Sequence, residues 1–201
     1  MPKLQFRNVK SKGCWNEEVG MGDIIEKNGK MWVTTGIVRS GKIYSSIEET
    51  LYLMELGALD LLDNGGRSIS LTETYEKVAS GKSGCCWELF DVYRHLKSIG
   101  YIIGRHGVAW SLKSIKLFGE MQVNDLRPDF DVYLPNSRFR KSCPGDPSFL
   151  LYLSRVQHPP SRAEIEAHEK QCGGIPLKIC RVREGRVNLF SSDKVELPVL
   201  P

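Results

Sequence analysis

The stretch DFDVYLPNSRFRKSCPGDPSFLLYLSRV, Asp129 to Val156, holds the side chains whose types and spacing best fit chemistry. It reads as two strands joined by a loop in which Arg138, Arg140 and Lys141 precede a Pro-Gly turn. A guanidinium offers paired donors to a phosphate, so this cluster fits contact with a nucleic-acid backbone. A solvated basic loop fits it nearly as well.

Other chemistries find less support. Asp129 could open a metal-dependent nuclease site, but no Glu-x-Lys or Asp-x-Lys follows on a neighbouring strand to complete one. The six cysteines, Cys14, Cys85, Cys86, Cys143, Cys172 and Cys180, never form a CxxC pair, so no zinc site is expected and they read as buried thiols. Neither GxGxxG nor GxxxxGKT occurs, and GKSG at 81–84 is too short a fragment to cradle a nucleotide. Neither a metal nor a cofactor is expected. His95, flanked by Arg94 and Lys97, reads as an exposed helix residue, and Trp110 as the cap of a small core rather than a platform for a base.

The whole chain sets limits on these readings. With 201 residues, 41% of them hydrophobic, it can bury one large core or two small ones. No run approaches the roughly 18 to 20 uncharged apolar residues of a membrane span, and MPKLQFRNVK lacks a secretory core. A soluble protein of a reducing compartment, with no membrane partner, is the expectation. Residues 1–83 carry 11 Lys and Arg against 11 Asp and Glu, and residues 84–201 carry 17 against 13, so the net charge of +4 sits in the second part. Such an excess permits contact with a phosphate backbone.

Two modules must position these groups. MWVTTGIVRSGKIY alternates around Arg39-Ser40-Gly41 and predicts a hairpin. Ser46-Ile-Glu-Glu49 is a capping box, from which apolar residues at helical spacing (Ile47, Leu51, Met54, Ala58, Leu61) predict a helix to about Leu62, ended by Asp63-Asn-Gly-Gly66. Ser70-Leu-Thr-Glu73 starts a second, short helix, and GKSG then marks a boundary between domains 1–83 and 84–201. CCWELFDVYRHLKSIG predicts a helix burying Leu89, Phe90, Tyr93 and Leu96 and stopped by Gly100, and Tyr101 to Ile103 the first strand after it. Residues 107–128 show no clear period and predict a connector with a helical turn or two. The rest predicts strand 130–134, strand 149–156, helix 161–171, strand 176–182 and strand 187–191, an α+β domain with a mixed sheet.

These elements carry a resemblance. ELFDVYRHLKSIGYII, then DFDVY, the PGDP turn, an apolar strand, a helix and a closing strand pair resemble the C-terminal nuclease-type domain of the tRNA-splicing endonucleases. GIVRSGKIYSSIEETLYLMELGALDLL, SISLTETYE and FSSDKVELP resemble the large structural subunit of the eukaryotic complex, so that the likeness covers about residues 28–200. The resemblance implies metal-free attack of a ribose 2′-hydroxyl on the adjacent phosphorus, served in catalytic members by a Tyr, a His and a Lys. Tyr133 falls at the Tyr position. Ser148 and Phe149 stand where the His is expected, and Gly174-Ile175-Pro176 where the Lys is, with Lys178 close by. Each such group is worth about 10²- to 10⁴-fold in rate, so the chain reads as non-catalytic, with Tyr133 an amphipathic core residue, hydroxyl outward. His158, before Pro159 and Pro160, is a poor substitute acid.

The resemblance therefore implies a structural subunit that scaffolds catalytic and structural partners in a nuclear heterotetramer and helps hold precursor tRNA. A catalytic metal-free endonuclease subunit and a stand-alone nucleic-acid-binding protein are the alternatives. Its interface candidates are Glu184, Val187, Leu189 and Phe190, in an extended apolar end with backbone groups to offer a partner sheet. Archaeal relatives dock through an acidic loop before the final strand. Here that loop is Arg183-Glu-Gly-Arg186, net positive, which leaves Glu184 as the docking acid.

Overall fold

A computed structural model describes residues 10–112, 126–135, 138–155 and 160–190. Among the described residues two sheets and four helices make an α+β fold. The first sheet is built from β1 (Ser11–Asn16), β2 (Met21–Glu26), β3 (Ile37–Arg39), β4 (Lys42–Ser45), β5 (Leu59–Leu62) and β6 (Ser68–Ile69), in the order β3-β4-β2-β1-β5-β6. The second is built from β7 (Ile102–Arg105), β8 (Phe130–Tyr133), β9 (Phe149–Leu153), β10 (Leu177–Arg183) and β11 (Arg186–Phe190), in the order β11-β10-β9-β8-β7. It is mixed, as expected: β9 and β10 run parallel and the other pairs antiparallel.

The helices follow their caps. In α1 (Ile47–Glu55) the Ser46 hydroxyl accepts from the Glu49 amide while the Glu49 carboxylate accepts from the Ser46 amide, and Ser70 with Glu73 does the same for α2 (Leu71–Ala79). The expected run of α1 to Leu62 does not occur. The Ala58 amide reaches back to the Leu53 carbonyl and the Gly57 amide to that of Met54, with Gly57 at φ 68°, which closes the helix in a Schellman motif. Leu59 and Leu61 then enter β5, which runs parallel to β1. Leu61 reaches the same core as Leu51, so its helical spacing from that face was a coincidence of burial.

The N-terminal hairpin is also shorter than expected. Lys30–Val33 forms a 3₁₀ turn that buries Trp32, and only β3 and β4 pair, through Ser40 and Gly41 at positive φ. Strands β1 and β2, which no sequence signal marked, form the centre of that sheet.

Helix α3 (Trp87–Ser98) joins the two halves. Its Phe90, Tyr93 and Leu96 share one core with Ile47, Leu51 and Leu61 on one side and with Ile103, Phe130, Val132, Phe149 and Leu151 on the other. Helix α4 (Arg162–Gln171) covers the opposite face of the second sheet, where Ile165 meets Leu150, Leu177 and Ile179. A buried polar seam runs between the sheets. Arg105 on β7 makes a two-pronged ion pair with Glu48 on α1, at 2.7 and 2.6 Å. Glu49 accepts from the Gly36 amide at 2.8 Å, and the Lys97 ammonium donates to the Thr34 carbonyl at 3.2 Å.

Candidate functional site

Alternation along β8 sends Phe130 and Val132 to the α3 core and leaves Asp131 and Tyr133 on the other face. There Tyr133 meets Trp110, Phe139 and Ile102. The Tyr133 ring lies 6.3 Å from Trp110 and 5.1 Å from Phe139 between centroids, all three near edge-on. Trp110 is seated by its backbone, whose carbonyl accepts from the Val38 amide at 2.7 Å, and it packs so closely on Gly104 that a Cβ there would fall 2.6 Å from its ring. Trp110 thus caps a small core, as expected. Tyr133 is only 4% exposed, and the side chain expected to turn its hydroxyl to solvent lies under an aromatic cover. Burial, and then the Asp131 carboxylate, push its pKa up to about 12, against the indole of Trp110. It is a neutral phenol at ordinary pH and a poor base.

The neighbouring catalytic positions hold packing residues. Phe149 is buried in the α3 core and the Ser148 amide donates to the Val132 carbonyl. At the Lys position the Gly174 amide caps α4 on the Glu169 carbonyl, and the Glu169 side chain takes the Leu177 amide at 2.8 Å. The ammonium of Lys178 sits 4.5 Å above the Phe149 ring. Phe149 is paired with Val132, on the face away from Tyr133, so Lys178 and Tyr133 are on opposite sides of the sheet. His158 lies outside the described residues.

The basic loop divides. Arg138 and Arg140 are exposed, while Phe139 between them turns into the aromatic cluster. Lys141 does not join them. Its ammonium donates to the Thr35 carbonyl at 2.6 Å, and burial lowers its pKa to about 8. Asp129 is a strand clamp rather than a metal ligand: one oxygen accepts from the Leu153 amide at 2.7 Å and the other from Arg155 at 3.0 Å. Among the described residues no three His, Cys, Asp or Glu side chains gather to hold a metal ion. The cysteines are not uniformly buried, since only Cys85 and Cys180 are, and Cys143 is exposed. His95 is exposed, as expected.

One polar pair was not visible in the sequence. His106, just past β7, sits 2.6 Å from Asp131, whose strand partner is Gly104. Nearby on α4, His168 lies 3.6 Å from the Cys172 sulfur, and burial, then the His106 charge, lower its pKa. His168 and Cys172 are four apart on one helix, a spacing that could have linked them. No spacing links His106 to Asp131.

The interface candidates lie at one edge of the second sheet, whose other edge is β7. Strand β11 pairs only with β10 among the described strands. Leu189 and Phe190 are exposed, Val187 packs against the main core, and Glu184 occupies the β10–β11 turn at φ 52°.

Comparison with known proteins finds two partial similarities. The family model described as "tRNA-splicing endonuclease subunit sen54 N-term" matches residues 1–63. The particular relative is the tRNA-splicing endonuclease subunit Sen54 of Mus musculus, 29% identical over 110 residues that make up 55% of this chain and 20% of that protein. The chain is thus similar to Sen54 over part of its length, and its matched stretch spans about one fifth of the length of that relative.

Proposed function

We propose that the chain is a non-catalytic, structural component of a nuclear tRNA-splicing endonuclease, which organises catalytic subunits and helps hold precursor tRNA. The observation that carries this reading is Tyr133, sealed under Trp110 and Phe139 with Phe149 and Ser148 where catalytic relatives place a histidine. A buried phenol with Phe149 and Ser148 at the acid's position, and with Lys178, the cation next to the family's lysine position, across the sheet, is poorly served for transesterification among the described residues. The likeness to Sen54 supports membership of the complex. Of the basic trio, Arg138 and Arg140 remain to meet phosphate, and β11 is the edge strand put forward to meet a partner sheet.

The test is reconstitution with the cognate catalytic subunits and precursor-tRNA cleavage. The chain alone should not cleave, it should co-purify with those subunits, and Tyr133→Phe should leave the rate of the assembled complex within about twofold. Partner-free cleavage abolished by Tyr133→Phe would overturn the assignment.

A further inference from the structure

At the junction of the two sheets a cavity of about 30 Å³ is bordered by Ser46, Glu48, Glu49, Tyr93, Arg105 and Trp110, among others. Tyr93 is 1% exposed, and its hydroxyl has no hydrogen-bond partner among the described residues. An O–H removed from water with nothing to donate to is a costly state, and buried hydroxyls are generally satisfied by protein or by an ordered water. A water needs only roughly 10–15 Å³ of this kind of space and two to four polar partners.

Acceptors are at hand. One Glu49 oxygen accepts from the Gly36 amide and the other from the Ser46 amide. Both Glu48 oxygens accept from Arg105. Each carboxylate oxygen has a second lone pair, so capacity remains after these bonds. Both carboxylates act on the Tyr93 hydroxyl and, with burial as the larger cause, hold its pKa well above the ordinary value, so it remains a donor. Neither makes a direct bond to it.

We propose that this cavity is the binding site of one ordered water molecule, which accepts from the Tyr93 hydroxyl and donates to the carboxylates of Glu49 and Glu48. The water ties α3 to the first turn of α1 and so belongs to the joint between the halves.

A high-resolution crystal structure of the chain and a thermal melt of Tyr93→Phe test it together. The expected results are a density peak at hydrogen-bond distance from the Tyr93 hydroxyl and a Glu48 or Glu49 oxygen, and a Tm lowered by roughly 2–4 °C in the variant. A dry cavity predicts the opposite sign, because removing a truly orphaned hydroxyl is stabilising. No peak beside that hydroxyl overturns the proposal whatever the melt shows, and a peak accompanied by a raised Tm overturns the tie between the halves.

Discussion

Lys141 illustrates how a neighbour 106 residues away in sequence decides what a charged side chain does. In the sequence it completes a basic trio with Arg138 and Arg140; in the fold the buried Phe139 between those two draws the loop inward, and the ammonium reaches the Thr35 carbonyl. Its pKa falls from the usual 10.5 to about 8, mainly because burial penalises the charge. Between those two values the unfolded chain holds a proton that the folded chain has released, so this group's contribution to stability rises with pH across that window. Urea unfolding of the wild type and of Lys141→Met at about pH 8, 9 and 10 should show the wild type gaining on the variant as pH rises. A constant difference would put the ammonium in water and return Lys141 to the phosphate-binding candidates. The aromatic cover of Tyr133 was equally hidden from a linear reading, because Trp110 and Phe139 come from segments on either side of β8 and share no period with it.

At the level of elements, local chemistry was legible where a side chain satisfies its own neighbourhood. The boxes at Ser46 and Ser70 start α1 and α2, and the strands expected at 130–134, 149–156, 176–182 and 187–191 match β8 to β11 to within a few residues. Elements fixed by distant partners were not legible. SKGCWN and MGDIIE lack a β-branched alternation, and β1 is a strand because β2 and β5 flank it. Strand β11 poses the reverse question, whether an edge that is unpaired among the described strands is paired in the complex. Leu189 is Cys180's partner across the ladder, and proline there removes an amide donor and fixes φ. Leu189→Pro should keep native circular dichroism and a near-native melting temperature, since β11 is mostly exposed, yet reduce co-purification with catalytic subunits to background. A variant that folds and still binds normally would remove β11 from the interface.

Across the whole molecule, the halves are joined by one apolar core and by the polar seam beside it. The seam sits where α1 and α3 face β7, and its strongest member is the pair between Glu48, whose side chain is 2% exposed, and Arg105. Arg105 also donates to the Ser83 carbonyl at 3.0 Å, which fixes the segment between α2 and α3 to the second sheet. Replacing a buried pair by apolar groups is often harmless, whereas removing one partner strands the other charge and costs about 3–5 kcal/mol. Arg105→Ala should therefore destabilise by about 3 kcal/mol, and a Glu48→Gln, Arg105→Met double variant should recover much of that loss. Because the core containing Phe90 and Tyr93 continues into both sheets, both halves should melt together, the single transition simply moving to lower denaturant. Followed by tryptophan fluorescence in a Trp87→Phe, Trp110→Phe background, which leaves Trp15 and Trp32 in the first half as reporters, and by circular dichroism, the two midpoints should coincide in wild type and variant alike. Separate midpoints, with Arg105→Ala moving only one of them, would mean that the seam and core hold the sheets side by side without making them one folding unit.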